Sequence, residues 1–89
     1  MRTPYYARKF EKDVKLQKKR GKDIEKLKEI VRLLIEGSML PPKYRDHNLT
    51  GNFVGFRECH IEPDWLLIYK INEAEIYFTR TGTHSDLFE

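Results

Sequence analysis

A two-layer α+β fold, with a helical hairpin packed on a small antiparallel sheet in the order β-α-α-β-β-β, is what this sequence predicts. Three observations carry that prediction. Apolar residues recur at helical spacing up to Ile35. Runs rich in aromatic and β-branched residues follow from Phe53 onward. The connections between those runs, Glu62-Pro63-Asp64 and Asn72-Glu73-Ala74, are short enough to force antiparallel neighbours. The 89 residues make one domain, residues 1–89. A domain of this size buries only about 60–65% of the surface its unfolded chain exposes, so its core is thin.

Arg2–Tyr6 is expected to be a short edge strand, because Pro4 is tolerated only at an edge or a strand start. Ala7–Arg20 reads as a helix, with Tyr6, Phe10 and Val14 recurring every fourth residue and Gln17 continuing the row. Gly21 stops it, and Asp23 is a good N-cap for the next helix, Ile24–Glu36. There Ile24, Leu27, Ile30, Val31, Leu34 and Ile35 form one broad apolar stripe. Gly37 ends it, and Pro41-Pro42 prevents resumption. Met39–Leu49 reads as a long loop carrying Tyr44, Asp46 and His47. The strands are Phe53–Ile61, Trp65–Ile71 and Glu75–Arg80. Trp65, Leu67, Tyr69 and Ile71 alternate with Leu66, Ile68 and Lys70, so one face takes the helices and the other is expected to be more polar.

Composition narrows the function. Cys59 is the one cysteine, which rules out an internal disulfide framework and fits a reducing, cytoplasmic setting. Lying next to His60 on a strand, it is expected to face the opposite side as a buried thiol. The longest apolar run, Trp65–Tyr69, has five residues, whereas a membrane-spanning helix needs about 20. Met1–Tyr6 has no apolar signal segment and reads as mature sequence. The net charge of +3 is unevenly spread: residues 1–22 hold nine Lys/Arg against two acids, and residues 23–89 hold eight against twelve. Such a basic block points either to a polyanionic partner, RNA, DNA or an acidic protein, or to a solvated helix face.

The three histidines, His47, His60 and His84, lie in the second half, each near a charged companion: Asp46, Asp64 and Arg80. In an antiparallel meander the end of the first strand and the end of the last lie at the same edge of the sheet. His60, Asp64, Arg80 and His84 are therefore expected to converge, with the loop residue His47 free to join them. Three readings stay open. Three His and one Asp suit Zn²⁺, but the spacing matches no standard motif and Arg80 would repel a cation. Metal-independent RNA cleavage needs a base for the ribose 2′-OH, an acid for the departing 5′ oxygen and a cation for the phosphate. Two imidazoles and an arginine fork supply these, with Asp64 fixing a tautomer or sharing in proton transfer. The third reading is surface histidines on a small basic binding module.

Asp46-His47, Leu49-Thr50-Gly51, Arg57-Glu58-Cys59-His60-Ile61-Glu62-Pro63-Asp64-Trp65 and Arg80-Thr81-Gly82-Thr83-His84-Ser85-Asp86-Leu87-Phe88 resemble the YafQ branch of the RelE-type toxins, and Lys12–Leu16 and Lys22-Asp23 fit the branch. The resemblance covers nearly the whole chain. It implies the two-layer fold and the toxin half of a bacterial type II toxin–antitoxin system: an endonuclease that enters the ribosomal decoding site and cuts translated mRNA. It further implies an acidic cognate antitoxin that wraps the toxin, the ribosome and mRNA as partners, and no cofactor. Its active-site positions fall on His47, His60, Asp64, Arg80, His84 and Phe88, with Trp65 adjoining. On this reading Arg80 binds the scissile phosphate, His84 is the general acid, and His60 or His47, with Asp64, activates the 2′-OH. Phe88 and Trp65 stack on or wedge an mRNA base, although a Trp that opens a central strand is equally often a core residue. Lys9, Lys12, Lys15, Lys18, Lys19 and Arg20 bind ribosomal RNA phosphates. Glu89 sets a negative charge close to the phosphate site. A non-catalytic ribosome- or DNA-binding module is the alternative.

Overall fold

The computed structural model describes residues 1–88; the expected charge at Glu89 lies outside the described residues. The chain runs β1 (Thr3–Tyr6), α1 (Arg8–Lys19), α2 (Ile24–Glu36), β2 (His47–Asn48), β3 (Arg57–Glu62), β4 (Trp65–Ile71), β5 (Glu75–Gly82) and α3 (His84–Phe88). Single 3₁₀ turns occupy Pro42–Tyr44 and Gly51–Phe53. The five strands are ordered β1-β5-β4-β3-β2. Strand β1 is at the edge, as Pro4 requires, and pairs parallel to β5; every other pairing is antiparallel.

Helix α2 follows its local signals closely. The Asp23 side chain accepts a hydrogen bond from Glu25 N at 3.1 Å, and Gly37 closes the helix in the left-handed conformation at φ 83°. No basic residue lies in its last turn. Arg2, the residue ahead of β1, supplies one, donating to the carbonyl oxygens of Leu34 at 2.9 Å and Asn72 at 3.1 Å. Phe10, Leu27, Ile30 and Leu34 from the helices bury against Cys59, Ile61, Trp65, Leu67, Tyr69, Ile76 and Phe78 from the sheet. Cys59 is fully buried, as its strand position implies, and burial pushes its thiol well above the usual range, so it is no thiolate nucleophile.

Three expectations need correction. Strand β3 starts at Arg57, not Phe53, because Gly51–Phe53 turns and Gly55 sits at φ 93°, which no strand residue adopts. The segment around His47 is not loop throughout: His47 pairs with Glu58 and Asn48 with Arg57, making an edge strand of two residues. The second sheet face is not broadly polar. Leu66 and Ile68 are buried under Leu87 of α3, with Leu49 and Phe56 packed beside them.

Candidate active site

Strand register builds the site. His47 lies opposite Glu58, Glu58 opposite Ile68, and Ile68 opposite Arg80; the next row is His60, Leu66 and Gly82. Residues that are two apart on a strand share a face, so Glu58 and His60 point the same way as Leu66 and Ile68. Irregular register between His60 and Glu62, and between Ile68 and Tyr69, lies on either side of this patch. Bulges of this kind re-aim side chains.

Helix α3 adds the third histidine. Thr83 and Asp86 cap it reciprocally: Thr83 N donates to Asp86 Oδ2 at 2.9 Å, and Asp86 N to Thr83 Oγ1 at 3.1 Å. The Asp86 carboxylate also accepts from Arg20 at 2.7 and 3.1 Å and from the buried Gln17 at 3.3 Å, which ties α3 to α1. The Arg20 guanidinium, with the Thr83 donors, holds the Asp86 carboxyl far below the usual carboxylate range. The anchor therefore stays charged at neutral pH and loosens only as strong acid protonates Asp86. Gly82 is needed for this closeness, since a Cβ there would lie 2.8 Å from Asp86 Oδ2.

The three imidazoles line up. Ring centroids are 6.2 Å apart for His47 and His60, and 6.0 Å for His60 and His84. Asp64, in the turn after β3, accepts from His84 N at 2.9 Å and lies 2.5 Å from His84 Nδ1. The His84 backbone N–H, then its ring, holds the Asp64 carboxyl below the usual range. His84 Nε2 is thus the ring nitrogen left to face a substrate. His60 Nε2 is 3.3 Å and His47 Nε2 is 3.5 Å from Oε1 of the buried Glu58.

The convergence expected for His60, Asp64 and His84 is present, and His47 joins it from β2. Asp64, however, serves His84 rather than His60 or His47. Arg80 stands apart from that convergence. Its Cα shares the histidine row, two strands and about 10 Å from Glu58. Its side chain turns to α1, where Asp13 accepts from Nε at 2.7 Å and Nη2 at 3.2 Å. Trp65 is a second correction: it has no exposed surface, and its indole N–H donates to Thr81 Oγ1 at 3.0 Å. A base has no access to that ring. Phe88 is 40% exposed and meets Phe53 edge-on at a centroid distance of 5.2 Å. Lys9, Lys12, Lys15, Lys18 and Lys19 are exposed along α1, whereas Arg20 is committed to Asp86.

Glu58, Asp13 and Asp86 are the members the sequence reading missed. Glu58 had a visible signal, two residues before His60 on one strand. The Thr83–Asp86 spacing had another, that of a capping pair. Asp13 had none, since its partner is 67 residues away.

The chain matches, over residues 2–89, the model of a family described as bacterial toxin of type II toxin-antitoxin system, YafQ. It is 50% identical over 84 residues to the mRNA interferase toxin YafQ of Escherichia coli strain K12, covering 93% of this chain and 91% of that protein. The crystal structure of YafQ from E. coli strain BL21(DE3) superposes with a TM-score of 0.96 at 47% identity, covering 100% of both chains. The YafQ chain of the E. coli DinJ–YafQ complex superposes with a TM-score of 0.94 at 48% identity, again covering 100% of both. Sequence and fold agree from end to end, and the chain belongs to the YafQ family of bacterial type II toxin–antitoxin toxins.

Proposed function

We propose that residues 1–89 act as one domain, a cytoplasmic endoribonuclease that cuts mRNA while it is being translated in the ribosomal decoding site, and that an acidic antitoxin silences it. One observation carries the reading: three imidazoles in a row, each within hydrogen-bonding or ion-pairing reach of a carboxylate. Half-identical relatives named mRNA interferase, and a YafQ seated with DinJ, support the substrate and the kind of partner.

The geometry supports the following chemistry. An imidazole of the His47–His60 pair takes the proton of the ribose 2′-hydroxyl, whose oxygen attacks the adjacent phosphorus. The departing 5′ oxygen takes a proton from Nε2 of His84, whose Nδ1–H is held by Asp64. Charge building on the phosphate is met by Arg80, which shares its guanidinium with Asp13 or releases it. Phe88, exposed beside His84, orients a base by stacking. Acid, base and cation are all side chains of this chain, so the step needs no metal. The exposed lysines of α1 hold ribosomal RNA phosphates, an attachment that weakens steeply with salt.

Controlled expression followed by mapping of 5′ ends tests the reading. Cuts are expected in frame and only within a translated message. Equal cutting of the same RNA with its start codon removed would contradict ribosome dependence, and growth arrest without cuts would favour a non-catalytic ribosome-binding module.

A further inference from the structure

We propose that Arg45 is a substrate-binding residue that holds the message's next phosphate on the 5′ side of the scissile one, in a cleft beside the histidine row; the inference rests on the function proposed above. The cleft has a volume of about 660 Å³. Lys43, Tyr44 and Arg45 line it from the turn ahead of β2, Lys26 from α2, and His60 and Glu62 from β3.

The acids of the cleft are already engaged. Glu62 holds Lys26 at 2.9 Å and Lys22 at 3.3 Å. Asp23 caps α2, Glu25 pairs with Lys28 at 3.1 Å, and Glu29 pairs with Arg32 at 2.6 Å. The guanidinium groups nearest the row are engaged too, Arg57 by Asp46 and Arg80 by Asp13. Lys43 and Arg45 are exposed, and among the described residues neither pairs with a carboxylate. Lys43 Nζ lies over the Tyr44 ring, 5.0 Å from its centroid. Arg45 is thus the spare guanidinium beside the histidines, and its fork matches the oxygens of a phosphate.

The backbone sets Arg45 in place. Among the described residues it alone combines a side chain with a positive φ, at φ 49° and ψ 45°. That left-handed conformation is costly for any residue but glycine, and such strain recurs at ligand-binding sites. The 3₁₀ turn imposes it, with Tyr44 N donating to the Pro41 carbonyl oxygen and Arg45 N to that of Pro42, both at 3.0 Å. The Arg45 carbonyl oxygen in turn lies 2.7 Å from His47 Nδ1. One residue therefore meets an imidazole of the row through its backbone and the cleft through its side chain. The direction of the message follows. His84 protonates the departing 5′ oxygen, so the nucleotide after the scissile phosphate lies at that end of the row. The nucleotide that supplies the 2′-hydroxyl lies at the His47–His60 end, and the phosphate on its own 5′ side continues toward Arg45.

Single-turnover cleavage on ribosomes programmed with a synthetic message, at varied toxin and salt concentrations, tests this. Arg45→Gly removes the cation, keeps the carbonyl and relieves the backbone, so its melting temperature is expected to stay close to that of wild type. For a single strand, log K shifts by about 0.7 per phosphate contact for each tenfold change in salt, so one contact is worth about fivefold at 0.1 M. The half-saturating toxin concentration is therefore expected to rise about fivefold and its salt slope to fall by about 0.7, with the plateau rate near that of wild type. Arg45→Gln, which keeps the backbone cost of arginine, is expected to behave alike, and Arg45→Lys to recover most of the affinity. A neutral methylphosphonate in place of the phosphate 5′ to the reacting ribose is expected to weaken wild type by the same factor and Arg45→Gly no further. Unchanged half-saturation in the folded variants, or a loss confined to the plateau rate, would overturn the proposal. So would losses that add at that methylphosphonate, which would place the contact on ribosomal RNA. A wild type that cuts no translated message would instead sink the proposed function, and this inference with it.

Discussion

His84→Ala is expected to cut mRNA on programmed ribosomes about 10²–10⁴-fold more slowly than wild type, the usual loss when a general acid is removed. The fold should hardly notice. The His84 side chain is 55% exposed, and its backbone N–H, which binds Asp64 at 2.9 Å, is kept by alanine. Helix α3 stays pinned by Leu87 and by Asp86 on Arg20 and Gln17. A stability change within about ±0.5 kcal/mol is therefore expected, as for most exposed positions. Melting temperature and single-turnover cleavage measured on one preparation separate the two effects. A folded His84→Ala protein that cuts at the wild-type rate would move the acid's role to another ring.

Trp65→Ala is expected to show the reverse pattern, a large loss of stability from which any loss of activity follows. Trp65 is fully buried against the helices and donates to Thr81 Oγ1, so truncation opens a cavity and removes that donor, while the hydroxyl keeps its own bond to the Leu66 carbonyl oxygen at 2.7 Å. Losses of about 3–5 kcal/mol are typical for a core tryptophan, against a total of about 5–15 kcal/mol for a native protein. Trp65→Phe keeps most of the volume and should retain both fold and cleavage. Chemical denaturation checks this. If Trp65→Ala melts at the wild-type temperature yet fails to cut, the ring is reaching RNA after all.

The contrast between these residues shows what was legible in the sequence. Strand β4 and helix α2 were read to the residue because each carries a long period, alternation in one and a three-to-four repeat with an Asp cap and a Gly stop in the other. Strand β2 has two residues and α3 has five, too short for a period to show. Both exist because of distant partners: β3 for the first, Asp64, Arg20 and Leu66 for the second. The histidines were legible as a cluster because strand ends in a meander must meet. Their carboxylates were not assigned correctly, because nearness in sequence favoured Asp64 for His60 when the turn delivers it to His84. The same meeting of strand ends put Arg80 in the cluster. Its side chain instead follows Asp13, a pairing across two elements that no local pattern announces. Trp65 opens a strand between a turn and a core, and sequence alone left both of its faces open.

The most direct test of the central claim, acid–base cleavage through the ribose 2′-hydroxyl by the histidine row, is the chemistry of the ends it leaves. Attack by the 2′ oxygen breaks the bond from phosphorus to the 5′ oxygen, which departs with the proton from His84. A 5′-hydroxyl is expected on one fragment and a 2′,3′-cyclic phosphate, or the 3′-phosphate formed from it, on the other. No cut is expected when the ribose before the scissile phosphate is 2′-deoxy. A 5′-phosphate beside a 3′-hydroxyl, or normal cutting of the deoxy-substituted message on ribosomes, would contradict the claim.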